Sequence, residues 1–271
     1  MGQIFTNEEG QLCYQGDTFT IILRRYSDPE RLNLARNAAV YLGKDDRDNI
    51  RRPLNILRDG HVTAIFRGEH AEFEFIDVSK EVYDHIITYT TANMRAAGGN
   101  RALVSNDYTM PGDKMKNPEA VEENIKQSMA AYKANLDNRE TKQVARSAMP
   151  VAAKMNPFVY QFNFVTLGES MFKQRIWEKG AQSNTTKVVK GMFELCSAMD
   201  YDLWEAFYYY KGTPALQWEE VRKRINKQGL TVHQFLSELQ EKATDPKLSY
   251  DKDETLVDYL VKRSGGLKNM W

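Results

Sequence analysis

The sequence predicts a protein of mixed α/β class, because strand patterns and helix patterns alternate along it. Residues 18–23 are rich in β-branched side chains, which is typical of a strand. Ala71, Phe73 and Phe75 alternate with glutamates, as in a strand with one buried face. Several other stretches repeat apolar residues at spacings of three and four, as amphipathic helices do. The chain has 271 residues and a hydrophobic content of 42%, which is enough to build a sizeable core.

The overall composition narrows the classes of function. The 37 basic and 37 acidic residues balance, so no global charge favours nucleic acid as a partner. Two cysteines, Cys13 and Cys196, are too few for a disulfide framework or a metal cluster, and reduced thiols are expected. There is no run of 18 apolar residues and no signal peptide before Thr18. We therefore expect a soluble cytoplasmic protein with no membrane partner and no metal.

The first half of the chain gives five elements in order. The strand at 18–23 is followed by a helix that begins at Asp28-Pro29, where aspartate can cap and proline suits the first turn. A short helix is expected at 53–57. After the strand at 71–78, Ser79 is a good N-cap for a helix from Lys80 to about Met94.

Helices dominate the second half. Asn117-Pro118 begins a long one, and a helix that carries Arg146 is stopped by Pro150. The stripe of Thr185, Val188, Met192 and Leu195 predicts a helix over 181–199. Three further helices are expected at 218–228, 231–242 and 253–264. We divide the chain into a main domain, 1–213, and a helical C-terminal extension, 214–271.

Two short segments could contact a ligand. His61 follows Gly60 and is either a locally bonded turn histidine or a ligand contact. The segment Gly98-Gly99-Asn100-Arg101 allows positive φ, and its successive N–H groups could bind an anion. A plain turn that ends a helix explains the same glycines.

The order of the motifs resembles the flavin-dependent thymidylate synthase family. Gly60-His61 and then Glu69-His70-Ala71-Glu72-Phe73-Glu74-Phe75 match the family's G-H and E-H-x-x-F-x-F. Gln143-Val144-Ala145-Arg146 with Met149-Pro150 is similar to E-x-A-R-x-x-L-P. Arg175 precedes Ala181-Gln182 at a slightly different spacing from the family's R-x-x-x-x-A-Q. The resemblance covers roughly Thr18 to Gly212.

The chain departs from the family where the family has an R-H-R triplet. The matching residues here are Tyr89, Thr90 and Thr91. Neutral hydroxyl groups cannot bind phosphate as guanidinium groups do, although they can hydrogen-bond a neutral ring edge. Arg101 matches an arginine that meets the nucleotide phosphate, but Gly99 replaces the serine usually found two residues before it.

The resemblance implies a ThyX-like fold, with a central mixed or antiparallel sheet flanked by long helices, and a homotetramer with shared active sites. It implies bound FAD, with NADPH and methylenetetrahydrofolate as co-substrates and a dUMP-like nucleotide as acceptor. It makes Arg175 the catalytic residue that faces the pyrimidine. Substrate-binding candidates are Gly99, Asn100, Arg101 and Arg146, and cofactor-binding candidates are His61, Glu69, His70, Tyr89, Thr90, Thr91 and Asn163.

Three functions are compatible with these residues. The first is a divergent flavin-dependent methyltransferase that converts dUMP to dTMP. The second is a related flavin- and folate-dependent hydroxymethylase, or a transferase that uses another nucleotide, for which the lost triplet would mean a rebuilt pocket. The third is a non-catalytic protein that keeps the fold for binding or assembly.

Overall fold

The computed structural model contains one six-stranded sheet with strand order β1-β2-β3-β4-β6-β5. It describes residues 2–59, 61, 63–89, 94–97, 107–178, 181–244 and 259–260. Every neighbouring pair of these strands is antiparallel. The strands are β1 Gln3–Thr6, β2 Leu12–Gln15, β3 Thr20–Tyr26, β4 His70–Ile76, β5 Arg95–Ala96 and β6 Phe158–Asn163. The predicted α/β fold with a central antiparallel sheet is confirmed.

Nine α-helices occur in the described part of the chain. They are α1 Leu32–Leu42, α2 Arg52–Arg58, α3 Lys80–Ile86, α4 Pro118–Asp137, α5 Lys142–Ala145, α6 Ser183–Met199, α7 Tyr201–Lys211, α8 Thr213–Lys227 and α9 Val232–Thr244. Short 3₁₀ helices cover Thr63–Arg67 and Arg146–Ala148, and π-helical turns cover Thr166–Met171 and Lys173–Trp177. None of the described helices is long and apolar enough to cross a bilayer.

The chain divides into two compact units, Met1–Gly212 and Thr213–Trp271. The first unit holds the sheet and the helices α1 to α7. The second contains α8 and α9, and Thr231 Oγ1 accepts a hydrogen bond from Gln234 N (3.2 Å) at the start of α9. Most of the predicted helix at 253–264 lies outside the described residues.

Strand β4 lies at the centre of the sheet because its two edges pair with β3 and β6. Ala71, Phe73 and Phe75 are fully buried, as their alternation predicts. Helix α6 packs closely on this sheet. The glycine at 191 has no Cβ, and a Cβ there would stand only 2.6 Å from the ring of Tyr14.

The N-terminal half of the fold corrects two predictions. The strand predicted at 18–23 as the first is the third, Thr20–Tyr26, because a short hairpin of β1 and β2 precedes it. The predicted start of α1 at Pro29 is also wrong, since the helix begins at Leu32. Asp28 still caps it, because its carboxylate accepts from Leu34 N at 2.9 Å.

The end of helix α3 is a further correction. Ser79 caps the helix by accepting from Val82 N, as predicted, but the helix stops at Ile86 rather than near Met94. Arg95 and Ala96 instead form strand β5, which pairs with Tyr160 and Val159 of β6. Strand β5 therefore lies at the edge of the sheet, beside β6.

A buried ion cluster joins the start of α1 to the corner between α6 and α7. Arg31 Nη1 lies 3.2 Å from Asp200 Oδ1 and Nη2 lies 3.0 Å from Asp202 Oδ2. Asp200 is only 6% exposed, and it also caps α7 by accepting from Leu203 N at 3.2 Å. Burial raises the pKa of Asp200 from 3.8 to about 6, although Arg31 acts in the opposite direction. The neighbouring carboxylates of Asp202 and Asp28 add to the upward shift of this pKa.

This raised pKa predicts a pH-dependent stability. The folded state holds the Asp200 proton more tightly than the unfolded state does, so its contribution to the free energy of unfolding falls as pH rises from about 4 to about 6. Asn can also cap a helix, so Asp200→Asn removes the titration and keeps a capping side chain. Urea denaturation gives the free energy of unfolding of the parent chain and of Asp200→Asn at each pH. We expect the value for the parent minus the value for Asp200→Asn to fall by roughly 2 kcal/mol over this range. Asp17→Asn, at an exposed carboxylate outside this cluster, is the control. An equal pH dependence in the parent and Asp200→Asn chains would contradict the prediction.

Candidate functional site

Three predicted site residues meet where β4 begins and β6 ends. The register places His70 opposite Asn163, and Phe164 N donates to Glu69 O at 3.0 Å. Glu69 is 7% exposed, and Asn163 is buried as well. The sheet therefore brings Asn163 beside Glu69 and His70, although more than ninety residues of sequence lie between them.

Ser27 fixes the first two of these residues. Its hydroxyl donates to Glu69 Oε2 at 2.5 Å and accepts from His70 N at 2.8 Å, while Ser27 N donates to His70 O at 3.0 Å. The carboxylate of Glu69 is thus satisfied inside the protein. His70 Nε2 is buried and has no hydrogen-bond partner among the described residues, so it is a polar atom that could meet a ligand.

Asn163 leads into an unusual helical segment. Its Oδ1 accepts from Thr166 N at 2.8 Å, and two π-helical turns follow within residues 166–177, which we call the π segment. The glycine at 168 lets this segment approach the ring of Phe207, because a Cβ there would stand 2.5 Å from it. π-helical turns are rare and are frequent at functional sites, and Arg175 lies in the second of them.

Arg175 and Tyr89 are in direct contact. Arg175 Nε donates to Tyr89 Oη at 2.9 Å, and the guanidinium carbon lies 5.6 Å from the centre of the Tyr89 ring. Tyr89 Oη in turn donates to Gln174 Oε1 at 3.0 Å. Burial raises the pKa of the Tyr89 phenol while Arg175 lowers it, and the net shift is upward, so the hydroxyl stays protonated near neutral pH.

The other predicted residues are not joined to this pair. Arg146 lies half-buried on the 3₁₀ helix after α5, and no described hydrogen bond or ion pair connects it with Arg175. His61 is exposed, and its N–H donates to Ile56 O at 3.1 Å. Thr90, Thr91, Gly99, Asn100 and Arg101 lie outside the described residues, so the expected convergence of Arg101, Arg146 and Arg175 stays a prediction.

Sequence reasoning missed the partners of the predicted residues. Neither Ser27 nor Tyr160 lies in a motif that predicts a role at this site. Tyr160 Oη donates to Tyr89 O at 2.9 Å. The one available signal was that Gln174 adjoins Arg175.

A surface groove of about 570 Å³ lies beside β1, α6 and α7 and reaches the π segment at Trp177, without any of the predicted site residues in its described lining. Trp177, Phe193, Tyr201 and Tyr208 contribute aromatic surface to it. Its described lining includes two glutamates and no basic side chain, so it does not suit an anionic nucleotide. We therefore place the candidate site at the end of β4 and along the π segment.

The sheet and the Arg175 site define an α/β protein that resembles nucleotide enzymes of known structure. A sequence model of the family described as "thymidylate synthase complementing protein" matches residues 11–200. The chain belongs to this family, which confirms its resemblance to the flavin-dependent thymidylate synthases. No curated protein sequence matches the chain closely enough to count as a relative.

Two solved structures have the same fold. The UMP/dUMP methylase PolB from Streptomyces cacaoi, bound with 5-Br dUMP, superposes with a TM-score of 0.58 at 16% identity, over 71% of this chain and 96% of that one. The flavin-dependent thymidylate synthase ThyX from Helicobacter pylori, complexed with FAD and dUMP, gives a TM-score of 0.55 at 13% identity, over 68% and 97%.

The hydrogen bonds of the Ser27 hydroxyl predict that removing it lowers the stability of the fold. Ser27→Ala leaves the buried Glu69 carboxylate and His70 N without the partner that joins them. We expect the free energy of unfolding, measured in urea, to fall by about 1–3 kcal/mol. Ser147→Ala is the matched control, since Ser147 is exposed and bonds only within its own turn. Equal stability of the two variants would show that the Ser27 network contributes nothing.

Proposed function

We propose that the chain is a flavin-dependent enzyme that transfers a one-carbon unit to C5 of a pyrimidine nucleotide. The observation that carries the proposal is the hydrogen bonding of the Arg175 guanidinium. Among the described residues, its hydrogen bond to Tyr89 uses the Nε atom only. The two terminal nitrogens are therefore left for a ligand. Membership of the thymidylate synthase complementing protein family supports the reaction class.

Arg175 has a defined electrostatic task in this reaction. Negative charge develops on the pyrimidine while C5 acts as the nucleophile, and a fixed cation at the ring stabilises that charge. A guanidinium that is already oriented by Tyr89 does not have to reorganise at that step. Arg175 is therefore proposed as the catalytic residue.

The residues at the start of β4 fit the ring end of FAD. His70 Nε2 is a buried nitrogen with no described hydrogen-bond partner, so it can bond a polar edge of the isoalloxazine, with Asn163 opposite it in the sheet. His61 is exposed and accessible. Tyr89 offers no charge for the cofactor's phosphates, so their binding needs other groups. Bound FAD would supply the redox chemistry of the transfer, with NADPH and methylenetetrahydrofolate as co-substrates.

The nucleotide phosphate is assigned to Gly99, Asn100, Arg101 and Arg146, and Thr90 and Thr91 are assigned to the cofactor, all on the family pattern. We propose a cytoplasmic homotetramer in which neighbouring copies complete each site. The catalytic domain would be residues 1–213 and the helical extension 214–271. The Helicobacter pylori protein, which was solved with FAD and dUMP, supports dUMP as the nucleotide.

A second candidate differs in the nucleotide. The PolB methylase was also solved with 5-Br UMP, with a TM-score of 0.56 to this chain over 73% of its length. The neutral Tyr89 in place of an arginine is compatible with a changed pocket. Titration with dUMP and UMP in parallel distinguishes the two candidates, and detection of a hydroxymethylated product would favour the hydroxymethylase.

The test begins with the purified chain. Flavin absorbance together with a thermal shift on adding dUMP or UMP supports the proposal. A colourless protein that responds to neither nucleotide, even with FAD added, contradicts it and favours the non-catalytic alternative.

Arg175→Ala gives the sharper result. We expect turnover to fall by about 10²–10³-fold because a donor to the developing charge is lost. Lys173→Ala is the matched control, because Lys173 lies on the same π-helical turn and makes only a long 3.9 Å ion pair with Glu178. Unchanged nucleotide affinity and turnover in Arg175→Ala, measured by calorimetry and by product formation, would remove Arg175 from the site.

A further inference from the structure

Tyr89 occupies the first position of the segment that replaces the family's charged triplet. It is 8% exposed and its hydroxyl is neutral, so it cannot bind a phosphate as an arginine would. Its hydroxyl is also fully engaged inside the protein, by Arg175 and Gln174. These observations do not favour a direct contact between Tyr89 and a cofactor.

The hydrogen bonds around Tyr89 have one possible direction. A guanidinium can only donate, so Arg175 Nε–H donates to Tyr89 Oη at 2.9 Å. The single hydroxyl proton then goes to Gln174 Oε1 at 3.0 Å. The ring lies 5.6 Å from the guanidinium carbon, within the distance of a cation–π contact. Tyr89 thus holds Arg175 through both its hydroxyl and its ring.

Tyr89 is itself fixed to the sheet and to the end of α3. Its carbonyl accepts from the buried Tyr160 Oη of β6 at 2.9 Å, and its N–H donates to Ile86 O at 3.3 Å. Tyr160 belongs to a strand that pairs with β4. A rigid support of this kind allows Tyr89 to orient a long, flexible side chain.

Two further contacts hold α3 against the start of α6. Gln182 Nε2 donates to Glu81 Oε2 at 3.0 Å, and His85 Nδ1 lies 2.7 Å from Thr185 Oγ1. Near the start of α6, Thr186 Oγ1 donates to Arg175 O at 2.9 Å, which fixes the backbone of the arginine.

We infer that Tyr89 is a positioning residue for Arg175. The Tyr89 hydroxyl accepts the hydrogen bond from Arg175 Nε, which leaves the two terminal nitrogens of the guanidinium for the nucleotide. Arginine side chains lose much rotational freedom when they bind, and a side chain that is already oriented loses less. Tyr89 therefore contributes to turnover through Arg175 and not through contact with the cofactor. This inference rests on the proposed function.

A double-mutant cycle between Tyr89 and Arg175 tests it. Tyr89→Phe removes the hydroxyl and keeps the ring. In the chain with Arg175 intact, we expect kcat for nucleotide alkylation to fall about tenfold, which corresponds to the loss of one hydrogen bond between Tyr89 and Arg175. The change in the nucleotide KM should be smaller. In the Arg175→Ala background, the same change should lower kcat less than about twofold, because the group it positions is absent.

Tyr83→Phe is the matched control. Tyr83 is a buried tyrosine on α3 whose ring packs on Phe158, and no described hydrogen bond uses its hydroxyl. Gln174→Ala leaves the Tyr89–Arg175 contact in place, so kcat should fall less than in Tyr89→Phe. The melting temperature of each variant is measured in parallel, so that a change in kcat is compared only between chains that are folded at the assay temperature.

The outcomes separate this inference from the proposed function. Strong coupling between the two substitutions in the cycle supports it. Equal effects of Tyr89→Phe in both backgrounds, or no effect in an active parent chain, would overturn it while the proposed function stands. A parent chain that binds neither flavin nor pyrimidine nucleotide overturns both.

Discussion

The pairing of β4 with both of its neighbours is the interaction on which the other features depend. Phe73 and Phe75 are fully buried on one face, and the strand bonds β3 on one edge and β6 on the other. A shift of one residue would turn the phenylalanines to the opposite face, so burial fixes the register. That register sets His70 opposite Asn163, and Asn163 in turn starts the π segment that carries Arg175.

Sequence reasoning succeeded where the signal was local and failed where tertiary contacts decided the outcome. The alternation from Ala71 to Phe75 predicts β4, because a half-buried strand has a period of two. The end of α3 could not be predicted in this way. Tyr160 lies about 70 residues further along the chain, and its hydroxyl donates a hydrogen bond to the Tyr89 carbonyl. The other edge of β6 pairs with Arg95 and Ala96. Such contacts override helical propensity.

The candidate site shows the same division. The family pattern predicts Glu69 and Tyr89 as site residues, but their partners follow from the fold: Ser27 bonds Glu69, and Gln174 and Tyr160 bond Tyr89. The hairpin of β1 and β2 was missed because its strands are four residues each, too short for a clear period. Its turn did leave a signal, since Asn7 Oδ1 accepts from Gln11 N at 2.8 Å, a local bond that asparagine often makes in turns.

A neutral tyrosine beside Arg175 follows a consistent electrostatic logic. A second guanidinium at this buried position, within hydrogen-bond distance of Arg175, would repel it and would lose hydration on burial. A phenol accepts from Nε, presents its ring to the cation and adds no charge. The Arg31–Asp200 cluster shows how costly buried charge is in this fold, because burial raises the pKa of Asp200 even beside an arginine. The neutral tyrosine therefore orients Arg175 without that cost, and the positive charge of the pair remains on the one side chain whose terminal nitrogens can reach a ligand.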